Sequence, residues 1–433
     1  VNPAKALRPV LRTLAAVLLA LLVALLLGGA VALRLLAPRP GEWAAPLRIG
    51  TWQTAVSVPA VLRVATAAPF ARWLDGRRLR TRWGPVQLQW QPADRSLHLQ
   101  CAPCRLPASA LGSTPLQLQR LQIAVFRDFE SVQGLVRADT GVDDGPALQA
   151  WFTGRLQDDG LALQLRVPDT PIADAYAVLA PDLPELRQAR IGGRLKVQAS
   201  WQLPAGPLRM QPQLEGFTVQ GLGTEAWARA STSCGAPSRL QSRDWLVRAV
   251  LAAEDQRFFE HPGYDIRELQ AALQANQAEG GVRRGASTLG QQLAKRLVTG
   301  DERSATRKLR ELLYAVEMEQ TLGKARILQL YLDNAPWGAG LCGAEAAARG
   351  YFGRSARELA PAQAVWLAAM LHQPDAEARA WMRSGGIALE RAGWVAGNLR
   401  GGTRERERRA VQGALRDMGP PPSAPGRLLS SSG

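Results

Sequence analysis

The chain has 433 residues, 46% of them hydrophobic, with 53 Lys+Arg against 37 Asp+Glu for a formal charge of +16. That length allows two or three domains, and that apolar content excludes a globally disordered chain. The basic excess suits a polyanionic partner, whether nucleic acid, an anionic membrane or a phosphorylated substrate. Four cysteines are too few for a scaffold built on disulfides.

From Thr13 to Leu33 the chain reads TLAAVLLALLVALLLGGAVAL, 21 residues without a charge. At 1.5 Å rise per residue this crosses a hydrocarbon core of roughly 30 Å, and it exceeds the about 7 to 15 apolar residues of a cleaved signal peptide. Lys5, Arg8 and Arg12 precede it, which places the N-terminus in the cytoplasm and the bulk outside, although Arg34 and Arg39 follow. The expectation is a cytoplasmic tail and single-pass membrane anchor over 1–40 with the rest outside, which in a bacterium means the inner membrane and the periplasm. An exported bulk without zinc-finger or aromatic RNA-binding motifs sets nucleic acid aside as a partner.

Residues 41–235 alternate apolar and polar side chains in short runs. Val86-Gln87-Leu88-Gln89-Trp90, Leu116-Gln117-Leu118-Gln119, the run Leu161 to Val167 and the run Leu195 to Ala199 each predict a strand with one wet face. Asp158-Asp159-Gly160 and Gly192-Gly193 read as turns, and Pro171 to Ala180 as a short helix. This predicts a β-rich periplasmic domain, for which a spacer, a partner-binding module and a lipid groove are competing roles. Cys101 and Cys104 are a disulfide candidate, because a zinc site needs two further ligands that the neighbouring sequence lacks. Cys234 and Cys342 stand isolated.

Beyond Ser231 to Ser238 helical periodicity takes over. Ser242 is placed to cap RDWLVRAVLAAEDQRFFEH, and a Gly-rich basic segment, GGVRRGAST, leads into LGQQLAKRL. Arg307 to Leu322 predicts a strong helix, KARILQLYL from Lys324 another, and Pro361 opens a third. A mostly helical domain is expected over 236–415, then a disordered tail over 416–433. The fold class is thus multidomain α+β. Glu254 and Asp255 stand beside Phe258, Phe259 and His261, and apolar surroundings raise a carboxyl pKa and suit it to proton transfer. The same position also reads as an ordinary surface acid. Arg307, Lys308 and Glu311 share a helical face, which alone implies a modest surface salt bridge.

Four motifs occur in one order: EDQRFFEHPG, RGASTLGQQLAKR, RKLRE and KARILQLYLDNAPWGAGLCGAEAAARGYFGR. Together they closely resemble the peptidoglycan glycosyltransferase family of class A penicillin-binding proteins and monofunctional biosynthetic transglycosylases, over Trp245 to Pro374. The resemblance implies a lysozyme-like helical domain that polymerises lipid II into β-1,4 glycan strands and releases undecaprenyl diphosphate. Glu254 matches the general base, and Glu311 the acid near the donor diphosphate that organises cations or a divalent metal. Lys295, Arg303, Arg307 and Lys308 match basic positions for the diphosphate. Ser287, Thr288, Gln291 and Gln292 match residues shaping the cleft, and Asp255, Phe258 and His261 complete the first motif. No tightly bound cofactor is implied, with Mg or Mn at Glu311 the only metal expectation. The implied partners are lipid II, nascent glycan, the inner membrane and other cell-wall synthesis proteins.

The chain departs from the family pattern at Gly285-Ala286, Gly290, Arg296, Gln329, Asp333 and Cys342, and the family's RRxxVL helix is reduced to RAGWVAG from Arg391. These departures keep two other readings open: a non-catalytic cell-wall scaffold or regulator, and a lytic, lysozyme-like enzyme. No SxxK with a later KTG follows Pro374, so β-lactam binding is not expected.

Overall fold

A computed structural model of the chain describes residues 34–49, 52–106, 115–230, 234–278, 285–302, 304–400 and 404–419, with short helical pieces between 18 and 31. The expected anchor lies largely outside the described residues, as does the tail from 420. Among the described residues no helix is long and apolar enough to cross a membrane.

A short hairpin of β1 (Ala44–Ile49) and β2 (Trp52–Ser57) leads into helices Val58–Ala65 and Ala68–Leu74. Ser57 caps the first of these, its Oγ accepting from the Ala60 N–H at 3.2 Å. Then comes an antiparallel sheet of β3 (Arg78–Thr81), β4 (Gly84–Gln91), β5 (Ser96–Cys101), β8 (Arg120–Asp128), β9 (Ser131–Asp139), β10 (Ala147–Leu156), β11 (Leu161–Pro171), β12 (Arg190–Leu203) and β13 (Leu208–Gln220), with β3 and β13 at the edges. The alternation seen in the sequence gives this sheet an apolar face, with Leu88, Trp90, Phe152 and Leu161 buried, and a wet one bearing Gln89 and Gln164. Helix Ile172–Leu179 covers the apolar face at one end, beside the Cys101–Cys104 disulfide and the hairpin of β6 (Cys104–Leu106) and β7 (Leu116–Leu118). The two N-terminal helices cover it at the other end through Leu62, Ala68 and Ala71.

Leu116–Leu118 is a strand as expected, in that small separate hairpin. Two local readings change. Gly192-Gly193 is no turn: it lies inside β12, where the register with β13 shifts between Gly192 and Arg194. Gly193 has φ +99°, and a Cβ there would stand 2.6 Å from the Gly216 carbonyl oxygen, so this bulge requires glycine. The helix expected from Ser242 runs only Trp245–Glu254, with Asp244 before its first turn. The chain breaks out at Asp255 because that side chain bonds elsewhere, as described below.

The remaining helices form the second domain. Ile266–Ala278, Leu289–Ala294, Ala305–Thr321, Gly323–Asn334, Ala344–Phe352, Pro361–Met370, Pro374–Ser384, Leu389–Gly397 and Glu405–Arg416 surround a core that includes Leu246, Leu293, Met318, Tyr331, Trp337, Trp366 and Trp381. The two domains share a further core. Ile172, Tyr176, Phe217 and Val219 from the sheet domain pack on Leu313 and Val316 of helix 305–321, each side chain of this size contributing about 1.5 to 3 kcal/mol when fully buried. Polar bonds fix the contact: Arg310 Nη2 lies 2.6 Å from Glu185 Oε1, and the Tyr176 hydroxyl donates to the Leu309 carbonyl at 3.1 Å. At the β13 edge the Gln277 amide takes the place of a strand, accepting from Leu208 N at 2.7 Å and donating to its carbonyl at 3.0 Å. A second disulfide joins Cys234 to Cys342 across 108 residues, so the two cysteines that looked isolated are paired.

Candidate active site

Glu254 ends helix 245–254, and its side chain is only 12% exposed. Gln292 Nε2 donates to its Oε2 at 3.0 Å, Arg391 Nη2 lies 3.3 Å from its Oε1, and the Tyr331 hydroxyl donates to Gln292 Oε1 at 3.1 Å. Burial pushes the Glu254 carboxyl above the ordinary range, while the Gln292 hydrogen bond and the charge of Arg391 pull against it. The carboxyl pKa is thus raised and the group is held in one orientation, an arrangement suited to proton transfer.

The next residues build the scaffold. Asp255 Oδ2 accepts from the Leu289 N–H at 2.9 Å, and both its oxygens lie within 3.1 Å of His261 Nε2. Because His261 Nδ1 accepts from the Gly263 N–H at 3.2 Å, its Nε2 carries the proton given to Asp255. Thr288 caps helix 289–294 in a capping box with Gln291, and its hydroxyl donates to the Gly263 carbonyl at 2.8 Å. Asp255, Phe258, His261 and Thr288 are buried, so here they position the site and do not line an open surface.

On the other side of the same segment, Lys308 Nζ donates to Ser287 Oγ at 2.8 Å and to Glu311 Oε2 at 2.7 Å. Arg307 holds the other Glu311 oxygen. Segment 287–292 thus joins the two halves, Gln292 gripping the carboxylate and Ser287 the Lys308 ammonium. Ser304 caps this helix, accepting from Arg307 N at 3.1 Å, so Arg307 and Lys308 also sit in the electropositive first turn. Lys295 opens a π-helical turn, Lys295–Thr299, and pairs with Asp301 at 2.5 Å. The Arg303 position lies outside the described residues.

Glu311 does not fit the expected divalent-ion site. It is fully buried, with one oxygen on Arg307 and the other on Lys308, and among the described residues no three His, Cys, Asp or Glu side chains converge on a metal position. Its two oxygens are each taken by one cation, Arg307 and Lys308.

The sequence reading missed Arg391, Tyr331 and Arg296 as site residues. Arg391 was visible only as the first letter of a shortened motif, 137 positions from the acid it meets. Arg296 places its guanidinium 5.6 Å from the centre of the Tyr331 ring. Two further departures have structural explanations. Asp333 accepts from the Ser238 N–H at 2.9 Å and its hydroxyl at 2.7 Å, anchoring the interdomain segment, and Cys342 is the disulfide partner of Cys234.

A buried carboxylate and a set of ordered cations, linked through one segment, can chemically accept a proton on one side and hold an anion on the other. A family model described as transglycosylase matches residues 237–399. A biosynthetic peptidoglycan transglycosylase of Pseudomonas syringae is 41% identical over 177 residues, which are 38% of this chain and 72% of that protein. Proteins of the same description from Nitrosomonas eutropha and Alcanivorax borkumensis are 44% and 48% identical over 134 and 135 residues, in each case 31% of this chain and 55% of theirs. The chain therefore belongs to the peptidoglycan transglycosylase family, although it spans little more than half the length of those last two relatives. The matched region reaches past Pro374 and takes in helix 389–397 with Arg391.

Proposed function

We propose that this protein polymerises lipid II into β-1,4 glycan strands with release of undecaprenyl diphosphate, from a lysozyme-like helical domain held at the bacterial inner membrane. The observation that carries this reading is the Gln292–Glu254–Arg391 arrangement, joined through Ser287 to the cations of helix 305–321. Glu254 accepts the proton of the acceptor 4-hydroxyl as that oxygen attacks the donor's anomeric carbon. The bond to the diphosphate breaks, and Arg307, Lys308 and Lys295 stabilise the charge that develops on it. A single displacement inverts an α-linked donor to a β-linked product, so no second carboxylate acts as a nucleophile.

Incubation of the detergent-solubilised protein with labelled lipid II, beside Glu254→Gln, tests this. Polymer from the unaltered chain alone supports it. Monomer from both, across detergents and added cations, overturns it in favour of a scaffold, and cleavage of preformed glycan in favour of a lytic enzyme.

A further inference from the structure

A surface of the sheet domain remote from Glu254 joins arginines to exposed aromatic rings. Between Val58 and Trp83 there are six arginines and one acidic residue, Asp75. The Asp75 carboxylate accepts from the Trp90 N–H at 3.0 Å, and Arg63 pairs with Asp158 at 2.7 Å. Arg72, Arg77, Arg78, Arg80 and Arg82 remain exposed. Among them Phe70, Trp73 and Leu79 are 39%, 55% and 46% exposed. The Phe70 and Trp73 ring centroids are 5.0 Å apart, and the Arg77 guanidinium lies 3.7 Å over the Trp73 ring. On the preceding helix Val61 and Val64 face outward while Leu62 packs toward the sheet.

Two features choose the partner. The edge strand β3 is four residues, Arg-Leu-Arg-Thr, and arginines on an edge oppose strand addition by another chain. Exposed tryptophan, phenylalanine and aliphatic side chains set among arginines are instead the composition that settles at the boundary between anionic headgroups and acyl chains. The chain path agrees. The domain is entered at Trp43, whose N–H donates to the Asp158 carbonyl at 2.9 Å and whose carbonyl accepts from Val58 N at 2.9 Å. Helix 58–65 therefore starts against the point where the chain arrives from the apolar N-terminal segment.

We propose that helices 58–65 and 68–74 with edge strand β3 form a docking surface for an anionic phospholipid bilayer, laying this corner of the sheet domain in the headgroup layer. The proposal does not depend on the catalytic reading. The four native cysteines are paired, so the full chain accepts single nitroxide labels at Val64→Cys, Leu79→Cys and, as a reference on the wet sheet face, Trp151→Cys. In nanodiscs of phosphatidylcholine with phosphatidylglycerol, the ratio of oxygen to nickel-chelate collisions should be several-fold higher at 64 and 79 than at 151. It should fall toward the reference value in pure phosphatidylcholine, and also when Arg77, Arg78 and Arg80 are changed to Glu. A ratio at 64 and 79 equal to that at 151, or one indifferent to anionic lipid, overturns the proposal. So does dipolar broadening between two copies labelled at 79, which would make β3 a self-association edge.

Discussion

Glu254 is a carboxylate made useful by what surrounds it. Its pKa is raised by burial, so the ionised form is lost as pH falls through a value above the ordinary carboxylate range, and with Glu254 as the proposed base turnover should show an acidic limb there. Arg391 favours the ionised form. In Arg391→Gln that limb should therefore move to higher pH, a displacement measurable in kcat/KM profiles that a merely structural loss would not produce. The linkage sign for folding follows from the same shift: a raised acid pKa in the folded state adds stability as pH falls through it and withdraws it above. Glu254→Gln should accordingly lose about 10²- to 10⁴-fold in polymerisation while its Tm at neutral pH does not fall.

Helix 305–321 is the element on which the two domains meet. One side presents Lys308 and Glu311 to the site, and another presents Arg310, Leu313 and Val316 to the sheet domain. Glu185 is 3% exposed, so Arg310→Met leaves a buried carboxylate unpaired and should cost about 3 kcal/mol in denaturant unfolding. Adding Glu185→Gln to that variant should recover most of the loss, because the charge that needed a partner is gone. The Cys234–Cys342 bridge closes a loop spanning 108 positions. Chain-entropy reasoning assigns such a loop about 4 to 5 kcal/mol, so Cys342→Ser should lower Tm far more than Cys101→Ser, whose bridge closes a very short loop.

At the scale of the whole molecule the sheet domain is a packed neighbour of helix 305–321. The core shared by Ile172, Tyr176, Phe217, Val219, Leu313 and Val316 predicts that both domains unfold in one calorimetric transition. Two separate transitions, with the helical one at its full enthalpy, would show that this contact contributes little. Much of this architecture was legible beforehand. Strands β4, β11 and β12 appeared as alternation, helix 172–179 as a short apolar run after Pro171, and helix 305–321 within two residues of its ends. The grouping of Arg307, Lys308 and Glu311 and the Cys101–Cys104 pair were legible because each lies within one short motif or one helical face. Sequence by itself determined these features, since periods of two and 3.6 residues and local motifs are written in adjacent positions. Only the tertiary structure decided that Arg391 meets Glu254, that Cys234 meets Cys342, that Asp333 anchors Ser238 and that Glu185 grips Arg310. Those partners are about a hundred or more residues apart, and side-chain packing, which no local period encodes, brings them together.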